Sequence, residues 1–227
     1  MRSFFRLTGG ATRVFAMSAP PPPFQAKHPP TNFFRSVIYA WNGLIHTVVH
    51  QRNMRMHIIA ALMVGLVGSA VPLGLAEKAI LIFCVTLIFF AEMLNSALEQ
   101  LVDLAIQQFD EKAKLTKDIA AAGVLVLATG SMVIFAAILV HDADAIFRDV
   151  TVIERQVLFG VPLTFFGGAL MHESKKPLGV DLLFTAGALG TWAAIATWTE
   201  SYVMSAMTLG LLIVCIQAAW SRRRATP

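Results

Sequence analysis

Between Phe89 and Asp118 an apolar run of membrane length takes on carboxylates without losing its helical period. Glu92, Asn95, Glu99 and Asp103 follow one another at intervals of three, four and four residues. At about 100° per residue they form one narrow stripe of an α-helix, and Leu94, Leu98, Leu101 and Val102 occupy the rest. An ionised side chain costs about 2.5–3.5 kcal/mol at mid-bilayer and close to nothing near the interface. Three acids in succession therefore call for compensation, which a divalent cation, or a phosphate-bearing ligand that brings one, would supply. Mg²⁺ prefers hard oxygen ligands and is commonly held by one or two carboxylates plus substrate phosphates. Glu92 and Glu99 lie about 10 Å apart along the helix axis, which argues against their sharing one ion directly. The stripe divides more naturally into a metal ligand and a proton acceptor, with Asn95 orienting groups between them.

Lys117 and Asp118 stand immediately before the next apolar run, which opens at Ile119. The spacing predicts that a helix begins there, so that its unpaired N–H groups and positive dipole end sit beside a lysine, an arrangement that suits an anion. Carboxylates, a lysine and a helix N-terminus at one membrane face would hold the phosphates of a nucleotide.

The elements that must position these residues follow from composition and length. Of 227 residues 56% are hydrophobic and 14% charged, and the mean hydropathy of +0.67 is that of a polytopic membrane protein. The net charge of +4 is spread over the flanks of apolar runs and forms no single patch, so topology explains it better than nucleic acid does. Cys84 and Cys215 lie inside apolar runs without ligand spacing and read as packing residues. Residues 1–31 hold Arg2, Arg6, Arg13 and Lys27, no acid, and a proline cluster, which reads as a disordered arm drawn to anionic lipid, with an organellar transit sequence as the alternative. From Thr31 to Gln51 apolar residues recur at helical spacing around Trp41, predicting an amphipathic helix that lies in the interface.

Six spans are expected: His57–Leu75, Ala79–Asp103, Ile119–Val140, Gln156–Leu170, Val180–Trp198 and Tyr202–Trp220. Leu104–Thr116 is read as an exposed helical linker and Asp142–Arg155 as a net acidic connection. With the N-terminus inside, the cytoplasmic segments carry Arg52 and Arg55, then Lys112, Lys114 and Lys117, then Lys175 and Lys176, then Arg222 to Arg224. The outer loops hold only Lys78, Arg148 and Arg155. The asymmetry predicts a multi-pass protein of the cell inner (cytoplasmic) membrane with both termini cytoplasmic. Glu99, Asp103, Lys117 and Asp118 then face the cytoplasm, where ATP is, and Glu92 sits about two turns deeper.

The EMLNSALE string of Glu92 to Glu99, the pair Val102-Asp103, and KDIAAAGV from Lys117 resemble the small integral-membrane lipid kinases of the prokaryotic diacylglycerol kinase and undecaprenol kinase family. The likeness continues upstream through YAWNG from Tyr39 and QRNMRMH from Gln51, and covers about residues 33–140. It is specific, because E-x-x-N-x-x-x-E is followed by K-D eighteen residues after its last glutamate and every fixed residue is polar. The resemblance implies an all-α kinase core of a surface helix and three transmembrane helices, assembled as a homotrimer, that transfers the γ-phosphate of Mg-ATP to a lipid alcohol, undecaprenol or diacylglycerol. It implies that Glu92 is the general base, Asn95 an active-site organiser and Glu99 a metal ligand, and that Lys117, Asp118 and Arg55 serve the nucleotide. Some relatives place a metal-binding glutamate where this chain has Gln51, which keeps an oxygen ligand but not the charge.

The domains expected are an arm over 1–31, the kinase over 32–141, and a membrane region of about three further helices over 142–227. The last has no counterpart in the three-helix family. It carries Gly187 and Gly190 at the small-residue spacing of packed membrane helices, and its ionisable residues His172, Glu173 and Asp181 read as a loop of solvated charges. Two other function classes stay open: an ion channel or transporter that uses the carboxylate stripe, and a catalytically inactive scaffold, suggested by Gln51 and the added helices. No P-loop or Rossmann fingerprint is present.

Overall fold

Gln51, with φ −100° and ψ 118°, closes one helix and opens the next with no loop between them. The first, α1 (Phe33–His50), starts where the Asn32 side chain accepts a hydrogen bond from the Arg35 N–H at 3.1 Å. The second is α2 (Arg52–Ala70). Next come α3 (Leu75–Ala105), α4 (Glu111–His141), the short α5 (Ala143–Arg148), α6 (Val150–Met171), α7 (Leu178–Ala196) and α8 (Tyr202–Arg224). This computed structural model describes residues 32–174 and 176–224; the arm assigned to 1–31 and Lys175 of the charge asymmetry lie outside the described residues. Among the described residues every regular element is a helix, and six of them, α2, α3, α4, α6, α7 and α8, are long and apolar enough to cross a membrane. The protein is an all-α polytopic membrane protein, as composition and span lengths predict.

Helix α1 is amphipathic, with Phe33, Phe34, Val37 and Ile38 exposed along its first half and Ile45, Thr47 and Val48 buried in its second. Its docked half joins a core shared by α2 (Met54, Ile58, Leu62), α6 (Leu163, Leu170, Met171) and α8 (Leu211, Leu212, Cys215). The two sequence regions thus pack as one body. Glycines make the approach close: a Cβ on Gly68 would meet the Met204 side chain at 2.6 Å, and one on Gly167 would meet Leu62 at 2.9 Å. Helix α4 is the outlier, packed along α3 and burying only Val124, while Leu125, Val126, Met132 and Val133 are exposed.

Two expected boundaries move. The connection Asp142–Arg155 is mostly helical, because Asp149 caps α6 by accepting from the Thr151 N–H at 3.0 Å and its hydroxyl at 2.7 Å. The fourth span is consequently longer than Gln156–Leu170 and runs through Pro162. Helix α4 begins at Glu111 and not near Ile119, since Asp110 accepts from the N–H groups of Lys112 and Ala113 at 2.8 and 2.9 Å. The helix N-terminus expected at Lys117 is therefore about two turns away from it.

Of the two glycines at small-residue spacing in α7, only Gly187 is at a tight contact. A Cβ there would lie 2.7 Å from the Phe166 ring, whereas Gly190 has open space around it. Gly187→Val is expected to cost about 1–3 kcal/mol by overpacking against a ring that cannot fold aside, and Gly190→Ala to leave stability unchanged or slightly raised. Apparent Tm values of the two variants in detergent check this; equal losses would contradict it.

Candidate active site

Along α3 the buried residues Leu81, Val85, Glu92 and Ser96 recur at four, seven and four residues, one stripe turned into the bundle. The deep carboxylate is thus on the face that packs. Glu92 is 1% exposed and Asn95 4%, in a helix held at its start by the Glu77 carboxylate, which accepts from the Gly74 N–H at 2.7 Å. Glu92 Oε2, Asn95 Oδ1 and the Ser96 hydroxyl are buried with no hydrogen-bond partner among the described residues. An unpaired buried polar atom forfeits about 1–3 kcal/mol of hydration. Three such atoms within five residues form a cluster of unmet hydrogen-bonding capacity that a ligand or reactant is able to complete.

The stripe then climbs toward the helix end. Asn95 Nδ2 donates to Glu99 Oε1 at 3.1 Å, which fixes the amide and leaves its oxygen facing elsewhere. Glu99 is half-buried and Asp103 exposed. One turn beyond Glu99, Asp103 pairs with Lys117 of α4 at 2.5 Å, so the two motif halves separated by fourteen residues are joined across the α3–α4 contact. Asp118 is exposed on the next residue. The arrangement forms a gradient: a buried carboxylate, an amide, a half-buried carboxylate, then an ion pair in water. Among the described residues this is an arrangement able to take a proton at depth while holding a charged group at the rim.

Two predicted residues sit apart from this line. Gln51 is the cap between α1 and α2 and is half-buried. Arg55, one turn into α2, donates to the Val49 carbonyl at 2.8 Å and is paired with the Glu173 carboxylate from the α6–α7 connection. Its guanidinium thereby ties the first turn of α2 to the C-terminal region. The reading of His172, Glu173 and Asp181 as solvated is overturned for Asp181, which is 6% exposed and accepts from Arg223 Nε at 2.7 Å. A buried carboxylate is retained where a guanidinium satisfies it. Ser96 was not legible as a site residue; its signal is the four-residue interval from Glu92 on the buried stripe.

Sequence comparison adds an independent line. The profile of a family described as prokaryotic diacylglycerol kinase matches residues 38–139, the stretch that contains every residue of this gradient. A diacylglycerol kinase of Synechocystis is 30% identical over 161 residues, covering 59% of this chain and 92% of the relative. An undecaprenol kinase of Bacillus subtilis is 36% identical over 102 residues, 45% of this chain and 83% of the relative. A diacylglycerol kinase of Escherichia coli is 27% identical over 96 residues, 42% and 79%. No solved structure matches the chain at a significant level. Because the family profile spans the buried glutamate and the polar rim, and the Synechocystis relative is 30% identical and covered over 92% of its length, the chain belongs to the prokaryotic diacylglycerol kinase family.

Proposed function

We propose that this lipid kinase transfers the γ-phosphate of ATP to the hydroxyl of a membrane lipid alcohol, undecaprenol or diacylglycerol, with Mg²⁺ as the metal. The observation that carries the reading is the buried Glu92 carboxylate, whose Oε2 has no partner among the described residues, placed below a polar rim of Glu99, Asp103 and Lys117 on one helix pair. A lipid hydroxyl at headgroup depth reaches Glu92, which takes its proton as the oxygen attacks phosphorus. Asn95 holds the rim carboxylate and offers its unpartnered oxygen to the reacting groups. Lys117 and Asp118 face the nucleotide from α4; Gln51 and Arg55 would serve it from a different element, the α1–α2 junction, where Arg55 is engaged by the Val49 carbonyl and Glu173.

The half-buried carboxylate of Glu99 is an oxygen donor of the kind a hard cation takes, and it would hold the ion; Gln51 would add a neutral oxygen from the α1–α2 junction. When bound, the ion neutralises charge on the transferring phosphoryl group. Positioning then rests on the chain itself. Residues 32–141 constitute the kinase unit, and the helices after it are joined to it through α1 and α2. A homotrimer is supported by the exposed outer face of α4, and a cytoplasmic-membrane location with both termini inside by the lysine and arginine asymmetry.

The test is phosphate transfer from radiolabelled ATP by purified full-length protein in mixed micelles, with undecaprenol and diacylglycerol offered separately. Label is expected in one lipid, to vanish with EDTA and to return with Mg²⁺. Absence of label in both lipids, from a folded protein that binds Mg-ATP, would refute both substrates.

A further inference from the structure

At the bundle end where α2 stops and α3 starts, opposite the polar rim of Glu99 and Lys117, a cavity of about 840 Å³ lies between α2, α5 and α6. None of Glu92, Asn95, Glu99, Lys117 or Asp118 lines it. Its wall on α6 runs from Val152 to Phe165, which is about 20 Å of helix. Half of a hydrocarbon core is about 15 Å, so this trough has roughly the length of one leaflet. Val157, Val161 and Phe165 in its wall are exposed on the outer surface of the bundle. The Thr164 hydroxyl within it already donates to the Gly160 carbonyl at 2.8 Å. The trough is therefore apolar and open to the side where lipid stands.

The charged lining is gathered at one end. Arg148 and Asp149 stand where α5 gives way to α6, and Glu200 is held at the end of α2, its N–H donating to the Ser69 carbonyl at 2.8 Å. Asp149 caps the first turn of α6, while neither Arg148 nor Glu200 is in an ion pair among the described residues. One guanidinium beside two carboxylates makes a mouth of net negative charge, which repels an anion and accepts a group that carries both signs. A phosphate suits Arg148 by forked donation, and an ammonium beyond it suits the carboxylates. A primary ammonium fits better than a quaternary one, because an ionised carboxylate only accepts hydrogen bonds and so requires N–H groups opposite it. Gln156, also in the lining, keeps Oε1 buried without a partner among the described residues, a further acceptor that favours a ligand with donors. An apolar body with a few polar groups, at this volume, is the ordinary form of a ligand cavity.

We propose that this cavity is a lipid site that seats one zwitterionic phospholipid with a primary ammonium head group, a phosphatidylethanolamine, its tail along α6 and its head among Arg148, Asp149 and Glu200. The site is separate from the carboxylate gradient and independent of which lipid alcohol meets Glu92. One wall is α2, within the family match, and the other is α5 and α6, beyond it. The phospholipid therefore lies in the seam between the two parts of the chain and gives the added helices a binding role. Its binding raises the stability of the bundle by mass action.

The test uses full-length protein in a neutral maltoside detergent, titrated with the dioctanoyl forms of phosphatidylethanolamine, phosphatidylcholine and phosphatidylglycerol while apparent Tm is followed. The tails are identical, so only the head group varies. A saturable Tm rise is expected with phosphatidylethanolamine, at lower concentration than with phosphatidylcholine and at about tenfold lower concentration than with phosphatidylglycerol. Glu200→Gln is expected to remove the preference over phosphatidylglycerol. Val161→Trp, which fills the trough from its exposed side, is expected to remove the rise itself. Basal lipid phosphorylation is expected to stay within about twofold in both variants, since neither residue touches the gradient, and this reports that they are folded. Absence of a saturable rise, equal affinity for phosphatidylethanolamine and either other lipid, a preference that survives Glu200→Gln, or a rise that survives Val161→Trp would each overturn the proposal. So would a changed oligomeric state in Val161→Trp with no lipid response in the unaltered protein, which would assign the trough to a second copy of the chain.

Discussion

Glu92→Gln is expected to lower the rate of lipid phosphorylation by roughly 10²–10⁴-fold, the span over which a positioned general base contributes, while leaving the protein folded. The amide keeps the shape of the carboxylate and removes only the ability to accept a proton at physiological pH. Stability should be unchanged or higher, since an unpaired buried carboxylate loses hydration that an amide gives up at smaller cost. Initial rates and apparent Tm from one preparation settle both halves. A variant within about tenfold of the parent rate would remove Glu92 from the proton-transfer role, and a lower Tm would mean that its carboxylate has a structural partner. By contrast, Asp103→Asn breaks an ion pair whose aspartate side chain is 66% exposed, so its effect on stability stays within about 1 kcal/mol.

The second large effect is expected from the C-terminal region. A chain ending at residue 141, close to the end of the family match, loses every contact that α2 makes with α6 and α8. Gly65 and Gly68 are shaped for Thr208 and Met204, Leu62 and Leu66 lie against Gly167 and Gly160, and Arg55 loses Glu173. At the other end of α2 the Ser69 carbonyl loses the Glu200 N–H at 2.8 Å and the Thr199 hydroxyl at 3.1 Å. In a membrane, where helix association depends on such packing and hydrogen bonding more than on escape from water, this face has no equivalent replacement in lipid. The truncated protein is expected to lose several kcal/mol, about 10 °C or more in apparent Tm, and to elute as a broad, aggregated species. A monodisperse fragment with the Tm of the full chain would show that residues 32–141 stand alone.

Much of this arrangement was legible because membrane physics is nearly one-dimensional. Span lengths and the polar stripe of α3 depend on local period and on the cost of burying charge, and both are read within one helix. The beginning of α4 was misread for a local reason. The onset of apolar residues at Ile119 is not the onset of the helix, because Glu111 to Leu115 are good helix formers behind a capping Asp110. Asp181 was misread for a long-range one: its partner Arg223 lies forty-two residues on, and nothing in either residue's surroundings announces the other. The same holds for Arg55 and Glu173, 118 residues apart. Glu92 is legible from period, but its want of a partner among the described residues is visible only once the bundle has closed around α3.

Burial in the bundle is lopsided. The added helices lie against α2 and α1, and the flank of α4, with Leu125, Val126, Met132 and Val133 exposed, is left uncovered. The two flanks therefore meet different solvents: α2 is fitted to protein, with Gly65 and Gly68 set against Thr208 and Met204, while α4 presents an outward apolar face that suits lipid or another copy of the chain. Packing on the α2 flank leaves untouched the side from which Lys117 reaches Asp103.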